Sequence, residues 1–184
     1  MNKTLFASAA FALASFFAVN TASAQSASVT STATILAPLT AAATAPLAFG
    51  TIAKGATATV ASSTTSAGAV TFGGDEQDDI TVTIPSTVTI ATTAGGGANM
   101  TVTLDRANVR YTPLGNIPPN GASVVNASNG TVTVKLSMDN QGDAVNNDGN
   151  GQAYLWIGGS VTPTSQQQRG SYTGSFTVSA AYSN

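Results

Sequence analysis

Apolar side chains recur at every second position through most of this chain, and that period decides what it can fold into. Ala27, Val29, Ser31, Ala33 and Ile35 share one parity, as do Ile80, Val82 and Ile84, then Val88 and Ile90, then Met100, Val102 and Leu104. Val132, Val134, Leu136 and Met138 follow, then Leu155 and Ile157 between Tyr154 and Trp156, and last Phe176, Val178, Ala180 and Tyr182. A period of two is that of an extended strand with one face buried. Thr fills most alternate positions, as strand propensity favours. From Gln25 onward no helical period persists over three turns, so the reading is all-β. About nine strands punctuated by turn residues indicate a β-sandwich with Greek-key connections more readily than a closed barrel. Pro85-Ser86 and Gly95-Gly96-Gly97 separate neighbouring runs, and Asn129-Gly130 stands where a tight hairpin turn would precede "TVTVKLSM". The stretch from Arg106 to Ala127, with Pro113, Pro118 and Pro119, reads as a long excursion or an edge region.

Residues 1–24 have the pattern of a secretory signal peptide. Lys3 supplies the charged start, Leu5 to Val19 the apolar run and Ala22-Ser23-Ala24 the small-residue cleavage site. No later stretch is long and apolar enough for a transmembrane helix. Residues 25–38 are either an N-terminal extension able to serve as a donor strand or the domain's own first strand, interrupted by Pro38, and residues 39–184 form the sandwich.

Charge is scarce. Asp, Glu, Lys and Arg make up 8% of the chain, against about 25% in an ordinary soluble domain. The segment from Ile80 to Leu104 carries none, so its strands lack the charged residues that discourage pairing at sheet edges. With six basic and eight acidic side chains there is no basic patch to follow a nucleic acid backbone. Absence of His and Cys excludes a Ser-His-Asp triad, a thiol nucleophile, a His-ligated zinc centre and disulfides. Carboxylates remain. Asp75, Glu76, Asp78 and Asp79 crowd one turn, where four acids point in different directions; the expectation is a solvated loop, with calcium as the alternative. A second oxygen-rich loop, Asp139 to Gly151, has Asp143, Asn146, Asp148 and Asn150 at spacings that partly match a calcium loop, but Ile157 stands where the closing acid belongs. Asn, Asp and Gly are equally the residues of any long connection. No cofactor and no catalytic residue is indicated. Tyr154 and Trp156 could form a sugar-stacking platform, although core packing is expected for at least one of them.

Two motifs carry a family resemblance: "APLAFGTIAKG" (Ala45 to Gly55) and the closing "RGSYTGSFTVSAAYSN". Together they resemble the bacterial secreted domain-of-unknown-function family 4402 and are similar to the spore-coat-U and archaic chaperone-usher pilin group. The resemblance implies an immunoglobulin-like Greek-key β-sandwich lacking its final strand, completed by the N-terminal extension of the next subunit. Carried onto this chain, Ala27, Val29, Ser31, Ala33 and Ile35 would be the donor positions, and Phe176, Val178, Ala180 and Tyr182 would border the groove. It further implies self-association into fibres on the surface of a Gram-negative bacterium, with a periplasmic chaperone and an outer-membrane usher as partners. Many pilin relatives carry a disulfide, which this chain cannot form.

The expected function is therefore that of a fimbrial-like structural subunit, not an enzyme. The alternative is a complete, secreted sandwich that binds a glycan or another protein through its loops.

Overall fold

The computed structural model describes residues 36–92, 97–113, 118–137 and 151–183, all within the compact unit Ile35–Asn184. The signal-peptide reading, the donor positions Ala27 to Ile35 and the calcium-loop residues Asp143, Asn146, Asp148 and Asn150 lie outside the described residues.

The chain is all-β, with two antiparallel sheets and one short 3-10 turn at Pro119–Gly121 among the described residues. Eleven strands are described: β1 (Thr40–Ala45), β2 (Ala58–Val60), β3 (Gly68–Gly74), β4 (Asp79–Thr83), β5 (Thr87–Thr92), β6 (Met100–Thr112), β7 (Ser123–Val125), β8 (Thr131–Lys135), β9 (Gly151–Val161), β10 (Tyr172–Thr173) and β11 (Ser179–Tyr182). The larger sheet runs β1-β3-β9-β6-β5-β10. Its two long central strands each share one flank between two partners. β9 pairs with β3 along Gly151 to Ile157 and with β2 along Gly159 to Val161, while β6 pairs with β5 at one end and with β7 at the other. The smaller sheet has the order β11-β4-β8.

Alternation along the strands builds the core between these sheets. Ile80, Val82 and Ile84 from β4 and its exit, with Val134 and Leu136 from β8 and its exit, meet Phe72, Val102, Leu104, Val109, Leu155, Ile157 and Val161 of the larger sheet in one buried cluster. Complete burial of a Val, Leu, Ile or Phe side chain contributes about 1.5–3 kcal/mol each.

Two local expectations are corrected. Asn129-Gly130 is a turn, with Gly130 at φ 97° and its N–H donating to the Ala127 carbonyl, but it does not close a hairpin. β7 returns to β6 and β8 joins β4, because Val132 and Val134 find their apolar partners across the smaller sheet. Of the two readings of Arg106 to Ala127, the edge region fits: β6 continues to Thr112, and β7 pairs back onto it and onto no other described strand. The acidic turn is not uniformly solvated: Asp75 and Glu76 are 2% and 4% exposed. Glycine makes that burial possible, as a side chain at Gly151 would place its Cβ 2.9 Å from the Asp75 carbonyl oxygen. Asp79, by contrast, faces Lys135 in register and pairs with it at 2.9 Å on the surface, where such a bridge contributes little.

Tyr111 ties the sheets together. From β6 its hydroxyl donates to the Lys135 carbonyl at the end of β8. Burial raises its pKa above the ordinary 10.0, the Asp79 carboxylate adds to this, and only the neutral phenol can donate that bond. A phenol with a raised folded-state pKa contributes stability that is complete below the unfolded value and lost as pH rises through the folded one. Tyr111→Phe is therefore expected to lower unfolding stability at pH 7 by about 1 kcal/mol. The gap from wild type should narrow above about pH 10, as measured by urea unfolding across pH.

Candidate binding groove

Three strands do not cover the inner face of a much wider sheet, and the uncovered part is a groove of about 1240 Å³. Its floor is the larger sheet's inner face: Val70 of β3, Val88 and Ile90 of β5, Met100 and Val102 of β6, and Val161 of β9. Residues 46–54, following β1, form one wall through Leu47, Phe49 and Ile52. Residues 174–178, leading into β11, form the other through Phe176 and Val178. Val70, Val88, Ile90, Leu47, Phe49, Ile52, Phe176 and Val178 are all half-buried although they pack against the core cluster. Neither wall is ladder-paired among the described residues over 46–54 or 174–178. The period of two nevertheless continues through 174–178 into β11, with Phe176 and Val178 turned inward and Ser175 and Thr177 outward.

Why the walls stand apart follows from the chain's path. β10 pairs with β5 in the larger sheet, while β11 pairs with β4 in the smaller, so the chain crosses between sheets at residues 174–178. Gly174 permits the crossing, because any Cβ there would collide with the Thr89 carbonyl oxygen. Lys54, Gln167, Gln168 and Arg169 supply polar groups along the lining. Gln167 is itself buried and braces its loop by donating to the Ala98 carbonyl and to the Tyr172 hydroxyl.

A buried polar clamp fixes the far end of β11 to the start of β1. The Ala37 N–H donates to Asp75 Oδ2 at 2.7 Å, the Tyr182 hydroxyl donates to the Ala37 carbonyl at 2.9 Å, and the Asp75 N–H donates to the same hydroxyl at 2.8 Å. Asp75 is thus a structural acid whose buried carboxylate is satisfied by backbone. Gly74 leaves room for the tyrosine, since a Cβ there would collide with its hydroxyl.

Of the groove positions expected from sequence, Phe176 and Val178 line it, whereas Ala180 and Tyr182 pack farther along β11 against the core. The floor residues Val88 and Ile90 read from sequence only as another strand. Leu47, Phe49 and Ile52 stand in the motif "APLAFGTIAKG" that carried the resemblance, but nothing local says that their side chains stop short of full burial. Among the described residues no group of three or more acidic side chains is arranged to hold a metal, and no helix is long and apolar enough to cross a membrane.

Tyr182→Phe removes one donor and one acceptor from the clamp, leaving buried backbone groups unpaired. It is expected to cost about 2–3 kcal/mol of unfolding stability, measured by urea denaturation, and Gly74→Ala should move stability in the same direction.

No protein-family model matches the chain, and no curated protein matches its sequence.

Proposed function

We propose that this protein is the structural subunit of a secreted bacterial surface fibre, in which the groove of one copy is filled by residues 27–35 of another. The observation that carries this reading is the groove itself: an apolar trough between two segments that belong to no ladder, with Val70, Val88 and Ile90 half-buried along its floor. A strand laid in it would meet backbone groups along both walls and apolar pockets below, the requirements of strand addition.

The proposed occupant fits in three respects. Ala27, Val29, Ser31, Ala33 and Ile35 present small and branched side chains on one face, with Ser and Thr on the other. At about 3.3 Å per residue, nine residues reach roughly 30 Å. No charged residue occurs between Gln25 and Ala53, so an apolar trough would desolvate no ion.

A second copy is favoured over the same chain by the clamp. A hairpin from residues 27–35 back onto β1 needs at least a two-residue loop with hydrogen-bonded shoulders. Both backbone groups of Ala37 are already engaged, and Pro38 has no N–H to give. The reading is structural and not enzymatic, in keeping with a chain that has no His or Cys and no described carboxylate pair across the trough.

Full-length wild-type protein, isolated from the cell surface and run in detergent, should give a ladder of multimers that collapses to one band only after heating. Val29→Asp and Ile35→Asp should each abolish the ladder while far-UV circular dichroism stays β-type. Monomer alone in wild type, or a ladder untouched by both substitutions, would overturn the proposal.

A further inference from the structure

On β9 the side chains divide cleanly. Ala153, Leu155 and Ile157 are each 0% exposed in the core, so Gln152, Tyr154 and Trp156 all lie on the opposite, outer face of the larger sheet. This corrects the expectation that at least one of the two aromatics packs in the core. Leu155 and Ile157 take the inner positions, and both rings remain half-buried on the outside.

The two rings are nearly parallel, at 21°, with centroids 6.5 Å apart along the strand. Their register neighbours are small or polar: Thr71 and Thr112 flank Tyr154, while Ala69 and Arg110 flank Trp156. Arg110 is the one long side chain among these four neighbours. The polar groups around them are held in place. Tyr154 donates to Gln152 Oε1, and Arg110 Nη1 donates to the Ala122 carbonyl at 2.6 Å. The Thr71 hydroxyl, next to Tyr154, is the one buried side-chain polar atom among the described residues with no hydrogen-bond partner. An unpaired buried hydroxyl is unfavourable, and here it adjoins the only stacked aromatic pair among the described residues.

We infer that the outer face of β9 is a binding site for a neutral oligosaccharide, separate from the groove and not dependent on it. A sugar ring offers a C–H face to an aromatic face and a rim of hydroxyls to amides, hydroxyls and guanidinium. That is the combination Tyr154, Trp156, Gln152 and Arg110 present. Two parallel rings in line along one strand accommodate successive sugar units rather than a single one. Neutrality follows from the surroundings: Arg110 is already bonded to backbone, and the chain as a whole carries net charge −2, which disfavours polyanions.

Trp156 is the only tryptophan in the chain, so its fluorescence reports on this site alone. The full chain is titrated with cellohexaose, chitohexaose, maltohexaose and mannohexaose, following tryptophan emission, with calorimetry as the second readout. At least one should shift the emission saturably. Tyr154→Ala should weaken its binding about tenfold or more, and Trp156→Ala, read by calorimetry, should do the same. Both variants should keep the wild-type circular dichroism, since the side chains face outward. Absence of saturable binding to all four sugars would overturn the inference. So would binding unchanged in both variants, or an emission change that tracks protein concentration without sugar, which would assign the face to contacts between copies.

Discussion

The structure depends on an imbalance of coverage. An eight-stranded sheet turns an apolar inner face toward a three-stranded one, and hydrophobic burial falls away on the part of that face the smaller sheet leaves open. In the overlap of the two sheets sit Ile80, Val82, Leu155 and Ile157, with essentially no exposure. Beyond it, Val88 and Ile90 continue the same inner face and remain half-buried. Burial of apolar area is roughly proportional in its effect, so the same interaction that holds the domain together also generates an affinity for whatever completes the smaller sheet. On the proposed function, stability and assembly draw on two parts of one inner face.

The scarcity of charge has a matching consequence. Sheet edges in natural proteins are usually guarded by Lys, Pro or bulges. Lys135 is the only charged residue in β8, and β11 has none. The Asp79–Lys135 pair lies on the β8 flank of the smaller sheet, whereas the β11 flank bordering the groove presents Ser, Thr, Ala, Val and Phe between residues 175 and 181. Charge thus guards one edge of the smaller sheet and not the other, an asymmetry that would suit the proposed pairing along β11.

Strand existence was legible in the sequence, because a period of two survives in any context that buries one face. Ile80-Val82-Ile84 and Met100-Val102-Leu104 alternate, and both sets are buried. Strand partnership was not. Asn129-Gly130 has the composition of a hairpin turn, yet β8 pairs with β4, a choice made by side chains about fifty residues away in sequence. The fate of Asp75 was equally hidden. Its carboxylate is buried only because Ala37 and Tyr182 converge on it from distant parts of the chain and glycines at 74 and 151 allow the approach. Local composition carries no trace of such convergence. In "YLWI" the period was plain but its phase was not, since both parities are apolar; the neighbouring strands settled it by burying Leu155 and Ile157.

That phase assignment links the two faces of β9. Aliphatic residues inside leave the sheet's inner surface smooth enough to pack against β4, while the bulkier, partly polar aromatics go where a hydroxyl and an indole N–H can meet water or a ligand. Exchanging the phases would bury a phenol and an indole against Ile80 and Val82, where their polar atoms have no partner, and would turn Leu155 and Ile157 to solvent. The aromatic pair is outside because the core excludes its polar atoms, and its near-parallel geometry is set by a strand pinned on both flanks, by β3 and by β6. The oligosaccharide site proposed there would need no loop to preorganise it. Its rigidity is that of the central strand of the sheet, whereas the trough on the opposite face owes its openness to the two segments, 46–54 and 174–178, that no ladder holds.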